Sequence, residues 1–125
     1  IMEDDIKFQY GFNRNLENIM NQAPDDFDII YLSSLPTYFG FEWKKYSDDL
    51  VQVHNGVWWL SGYVISKKFA EKLVASLPII GPVDLWMNYM FEGANVYLSP
   101  TNIIEQSVKT KSSNTYSFQS KFPSL

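Results

Sequence analysis

Cysteine is absent from the 125 residues, and with it go disulfide staples, thiolate zinc sites and cysteine nucleophiles. A cysteine-free chain fits a reducing compartment, and a cytoplasmic location is the expectation. No apolar stretch approaches the roughly 20 residues that a membrane span requires, and no basic-then-apolar leader precedes the first acids. Positive charge is scarce. Ten Lys and Arg face fourteen Asp and Glu, a net charge of −4, with a pI near 4.8. An anionic domain has no electrostatic footprint for nucleic acid or anionic lipid, so neither is expected as a partner. Histidine occurs once, as His54. A Ser-His-Asp triad would have to use it, yet no Gly-x-Ser-x-Gly elbow is present to expose a serine, and an ordinary strand-end role fits it better.

What remains is rich in apolar and aromatic side chains, 46% and 17% against 19% charged. That is enough for the core of one domain and the reverse of a disordered composition. Ile1–Ile6 reads as the end of a strand by its alternation. Phe12, Leu16, Ile19 and Met20 form one helical stripe, stopped by Ala23-Pro24-Asp25-Asp26. Phe27–Leu32 reads as a buried strand. Ser33–Asp49 is the longest irregular stretch, with Pro36, Gly40 and Tyr38, Phe39, Phe41, Trp43 and Tyr46, and has the look of a lid. Leu50–His54 and Val57–Ile65 read as a hairpin around Asn55-Gly56. Ser66 is a plausible N-cap for a helix carrying Phe69, Ala70, Leu73, Val74 and Leu77 on one stripe. Pro82 and Asp84 open a second helix that runs to about Phe91, and Asn95–Ser99 is a short strand. Alternating strands and helices with an intervening hairpin predict an α/β fold with a mixed sheet and flanking helices. Residues 1–108 are expected to form the domain and 109–125 a polar tail or wrapping arm.

Glu3-Asp4-Asp5 is the strongest chemical feature. Three adjacent acids repel one another, and a fold tolerates that where water or a cation offsets the charge. On a strand, Glu3 and Asp5 would share a face about 6–7 Å apart, with hard oxygen ligands suited to Mg²⁺ or Mn²⁺ shared with substrate phosphates. Asp84 is either a favourable charge in the first turn of its helix or a carboxylate base aimed into a cleft. Trp58-Trp59 with Trp86 and Trp43 could offer rings for sugar stacking or serve as core. Adjacent strand residues face opposite ways, so at most one of Trp58 and Trp59 is expected in the core. Asp25, Asp26, Asp28, Asp48 and Asp49 read as turn and surface acids.

Taken in order, four blocks resemble glycosyltransferase family 25, which contains bacterial lipooligosaccharide galactosyltransferases and animal collagen galactosyltransferases. Met2-Glu3-Asp4-Asp5-Ile6 resembles its "LEDD" metal motif, a variant of the Asp-x-Asp of GT-A enzymes. Phe27-Asp28-Ile29-Ile30-Tyr31-Leu32 resembles the strand that follows. Ser61 to Leu73 resembles its tyrosine-containing strand-to-helix block, and Pro82-Val83-Asp84 its "PvD". The resemblance implies a partial GT-A-like domain, the metal-motif and acceptor side, without the nucleotide-binding region that normally precedes that motif. It implies inverting transfer of a hexose, galactose above others, from a nucleotide-diphosphate sugar such as a UDP-hexose to a saccharide or other hydroxyl acceptor. By that resemblance Glu3, Asp4 and Asp5 would bind the donor, with Asp5 and Glu3 on Mn²⁺ or Mg²⁺. Asp84 would be the catalytic base, and Trp59 and Trp86 would meet the acceptor. The alternative is a non-catalytic domain of the same ancestry that binds saccharide or a protein partner. A metal-dependent phosphoesterase ranks last, because it would need more carboxylate or histidine ligands. An apolar face left uncovered by a missing half would invite a homodimer.

Overall fold

The structure, a computed structural model, describes residues 1–36 and 42–107. In chain order the elements are β1 (Ile6–Phe8), α1 (Phe12–Gln22), β2 (Ile29–Tyr31), β3 (Leu35–Pro36), β4 (Glu42–Lys45) and β5 (Val51–Asn55). They continue as β6 (Val57–Trp58), β7 (Tyr63–Ile65), α2 (Lys67–Ala75), α3 (Val83–Tyr89), β8 (Val96–Leu98) and β9 (Ile104–Gln106). Five strands form the main sheet in the order β4-β5-β8-β2-β7, and β1-β9 and β3-β6 form two small ones. Within the main sheet β2 and β8 are parallel, Ile29 beside Val96 and Tyr31 beside Leu98, while the other pairings are antiparallel. The mixed α/β architecture is the one expected.

Both faces of the main sheet are covered, and the alternation along β2 decides which side chain goes where. Ile29 and Tyr31 join Val51, Val53, Val96 and Leu98 against Phe69 of α2 and Met87 of α3. Ile30 and Leu32 turn the other way, with Leu50 and Tyr97, to meet Ile19 of α1 and Ile103-Ile104. A strand buried on both faces needs apolar residues at every position, which is why Ile29-Ile30-Tyr31-Leu32 is continuous rather than alternating. Each fully buried aliphatic side chain there contributes about 1.5–3 kcal/mol. Ser66 caps α2 as expected, its hydroxyl accepting from the Phe69 amide at 3.1 Å. The far end of the α2 stripe stays outside the core. Val74 and Leu77 are exposed, followed by exposed Ile79, Ile80 and Val83. Among the described residues no helix is long and apolar enough to cross a membrane.

Several local expectations fail for identifiable reasons. Ile1–Ile6 is not one strand: Asp4 and Asp5 occupy a turn, and β1 begins only at Ile6. The Asp5 carbonyl accepts from the Ser107 amide and its carboxylate from Gln106, so the chain bends there to pair with β9, a strand that local pattern did not reveal. Asn55-Gly56 does not close a hairpin between its flanking strands. Instead β5 pairs with β4 and β8, and β6 pairs with β3. The supposed irregular stretch Ser33–Asp49 thus contributes β3 and β4, with residues 37–41 outside the described set. The expected tail, 109–125, also lies outside the described residues. Asp28 is no surface acid. It is buried, its carboxylate accepts from the Asn95 amide at 2.7 Å, and it ties the start of β2 to β8.

Candidate functional site

In a sheet with parallel strands, ligands gather beyond the carboxyl ends of those strands. Tyr31 is the last residue of β2, and Tyr63, the first of the antiparallel β7, is its register partner. Residues 1–3 lie along the free edge of β7. The Glu3 amide donates to the Ser61 carbonyl and the Tyr63 amide to the Ile1 carbonyl, each at 2.9 Å, and Met2 bridges Gly62. Gly62 is packed closely, since a Cβ there would displace the tip of the Ile104 side chain and touch Met2 Cγ. This close approach fixes Glu3 at the carboxyl end of β2. From the other side α3 brings Asp84 in its first turn.

Charge shows that these groups share one neighbourhood. Desolvation, then the carboxylates of Asp5, Asp84 and Asp4, push the Glu3 carboxyl above its ordinary value. Burial, then Asp84 and Tyr63, push the Tyr31 phenol up, and burial followed by Glu3 does the same for Tyr63. Among the described residues no ion pair is made by Glu3, Asp4, Asp5 or Asp84, and two phenols that stay protonated back this patch of negative charge. It favours a cation or a hydrogen-bonding hydroxyl over an anion.

A pH test of this crowding follows from linkage. A carboxyl whose pKa rises on folding costs nothing below its unfolded value of 4.5. The cost grows as pH rises through that value and is complete above the raised one. Glu3→Gln is therefore expected to raise the thermal midpoint at neutral pH by roughly 1–3 °C, small because the group is partly exposed. The two midpoints should converge well below pH 4.5. Calorimetry across that range checks it, and equal midpoints at neutral pH would mean that the neighbouring carboxylates do not act on Glu3.

The position of α3 depends on one side chain. Asn88 Oδ1 accepts from the Gly56 and Val57 amides, each at 3.1 Å, and its Nδ2 donates to the Val57 and Asp84 carbonyls, each at 2.7 Å. The amide thereby clamps the turn at Gly56 (φ +88°) to the helix that carries Asp84. It also explains the missing hairpin, because the backbone groups at Gly56-Val57 are taken by α3.

Of the residues singled out from sequence, Asp84 lies within electrostatic reach of Glu3. Asp5 lies in the adjacent turn with its carboxylate accepting from Gln106 Nε2 at 2.8 Å, and Asp4 precedes it, exposed. The one-face strand geometry expected for Glu3 and Asp5 is not formed. Among the described residues no three His, Cys, Asp or Glu side chains converge as a ready-made metal cage. One or two carboxylates completed by diphosphate oxygens and water are nevertheless a common way to hold Mg²⁺, and the charge pressing on Glu3 suits a divalent cation. Trp59 is half-buried with φ +73°, and Trp58 is also half-buried. Trp86 is 6% exposed, so stacking on its ring face would require it to leave the interior. Sequence reading missed Tyr31, Tyr63 and Asn88. Asn88 stands four residues after Asp84, on the same side of a helix, and that spacing was the available signal.

Over 102 residues, 74% of the chain, the sequence is 38% identical to a Drosophila melanogaster protein named glycosyltransferase 25 family member. The chain belongs to the glycosyltransferase 25 family. It is also 32% identical over 98 residues, 73% of its length, to procollagen galactosyltransferase 2 of Homo sapiens. A Bos taurus relative, 28% identical over 106 residues and 74% of the chain, is named probable inactive glycosyltransferase 25 family member 3. The chain spans about 16% of the length of each of these relatives. No family model matches it, and no solved structure does.

Proposed function

We propose that the chain forms the acceptor-side part of a metal-dependent, inverting glycosyltransferase. It would move a hexose, galactose by analogy with its relatives' names, from a UDP-sugar to a hydroxyl of a saccharide or protein acceptor. One observation carries the reading: at the carboxyl end of β2 the Glu3 carboxyl, distant in sequence from Asp84, is pushed up by burial, by Asp5 and by the Asp84 carboxylate. Glu3 and Asp5 are the ligands suited to Mn²⁺ or Mg²⁺, with Asp4 beside the donor, and the cation would neutralise charge on the departing diphosphate. Asp84 accepts the proton of the acceptor hydroxyl as that oxygen bonds the anomeric carbon, while the bond from that carbon to the diphosphate oxygen breaks. Attack from the face opposite the leaving group inverts the centre, and no covalent enzyme intermediate is required. Trp59, half-buried, is the ring that would meet an acceptor sugar, whereas Trp86, 6% exposed, could do so only by leaving the interior. A homodimer would have its surface in the exposed apolar run Leu77, Ile79, Ile80 and Val83.

Calorimetric titration of UDP with and without Mn²⁺ tests the donor half of the reading. Binding that needs Mn²⁺ and is lost in Asp5→Ala is the expected result. Absence of binding in both conditions would favour a second reading, a non-catalytic domain that binds saccharide or protein. The relative with an inactive name gives that alternative its support.

A further inference from the structure

Behind the two carboxylates lies a group that the transfer chemistry leaves unused. Tyr31 is 1% exposed and sets its ring edge-on against Phe91, with centroids 6.2 Å apart and planes at 79°. Its hydroxyl is buried and has no hydrogen-bond partner among the described residues. Native proteins rarely leave such a donor unmade, because a buried unpaired hydroxyl forfeits its bonds to water and gains nothing in return. The ionisable groups that act on it are Asp84 from α3 and Tyr63 from β7, with Glu3 in turn acting on Tyr63. Burial keeps the phenol protonated, so toward a carboxylate it can only donate.

We propose that Tyr31 is a positioning residue for Asp84: when the acceptor is bound, its hydroxyl donates to one oxygen of the Asp84 carboxylate and leaves the other free for the acceptor proton. The inference rests on Asp84 being the base. Tyr31 keeps its own proton throughout, and no bond to it is made or broken. Catalytic hydrogen bonds of this kind commonly tighten only once substrate is in place. A fixed carboxylate aims one lone pair at the incoming hydroxyl, and such alignment is where positioned groups gain their rate advantage.

Tyr31→Phe keeps the ring and its packing on Phe91 and removes only the hydroxyl. Steady-state transfer from UDP-galactose with Mn²⁺ is compared for the unaltered chain, Tyr31→Phe and Asp84→Asn. The expected result is a kcat roughly 10- to 100-fold lower in Tyr31→Phe, the worth of one hydrogen bond to a charged group. KM for donor and acceptor should stay within about twofold. The acid limb of the kcat profile should move to higher pH, since a donor to the charged base has been lost. The thermal midpoint should be unchanged or higher, which separates the effect from misfolding. A Tyr31→Phe rate and pH profile matching the unaltered chain, beside an inactive Asp84→Asn, overturns this inference alone. A fully active Asp84→Asn, or no transfer by the unaltered chain, overturns the functional reading and the inference with it.

Discussion

Asn88→Ala is expected to lower the thermal midpoint by roughly 10 °C. The methyl group of alanine replaces four hydrogen bonds, two accepted from the Gly56 and Val57 amides and two donated to the Val57 and Asp84 carbonyls. At about 0.5–1.5 kcal/mol each the loss amounts to roughly 2–6 kcal/mol. Alanine returns about 0.5 kcal/mol of helix propensity to α3, too little to offset it. The Gly56 and Val57 groups lie in a buried corner, so water cannot fully replace the amide. Asn13→Ala, on the exposed side of α1, serves as control and should change stability by no more than about 0.5 kcal/mol. A drop for Asn88→Ala no larger than the control's would show that the clamp is not what holds α3 to β6.

The same clamp marks where local pattern ceased to be informative. The double-sided burial of β2, the α1 stripe and the Ser66 cap are all visible in a window of a few residues, and the structure contains them, except that Met20 of the expected stripe is exposed while Phe12, Leu16 and Ile19 pack inward. Asn55-Gly56 carries an equally strong local signal for a hairpin, yet the structure pairs β6 with β3 because a side chain from α3, 31 residues away, binds the Val57 backbone. β9 is a similar case: Ile104–Gln106 is a strand because β1 lies opposite it, not because of its own alternation. The acids divide along the same line. Glu3 and Asp84 each read as a surface charge or a functional group when taken alone. The observation that favours function, the influence of Asp84 on the Glu3 carboxyl at the end of β2, belongs to the pairing of residues 1–3 with β7. Asp28 went the opposite way: a neighbour of two turn acids in sequence, it is buried on the Asn95 amide.

Asp84→Asn bears most directly on the chemistry. The side chain keeps its shape but can no longer take up the acceptor proton, and loss of a positioned general base lowers kcat by about 100- to 10,000-fold. KM should change little, because the proton moves only in the transition state and ground-state contacts survive. Mn²⁺-dependent UDP binding should also survive, since the donor side is assigned to Glu3, Asp4 and Asp5. Stability is expected to stay nearly level. A first-turn carboxylate favours α3 by about 0.3–1 kcal/mol, while the same charge presses on Glu3, so its removal acts in both directions. Asp84→Asn therefore separates chemistry from folding, which Asn88→Ala cannot do, because the latter disturbs the helix that carries the carboxylate. An inactive Asp84→Asn that still binds UDP and melts near the parent temperature would place the base on α3. Full activity in the same variant would transfer that role to another group, and the Glu3 carboxyl at the same strand end would be the next to replace.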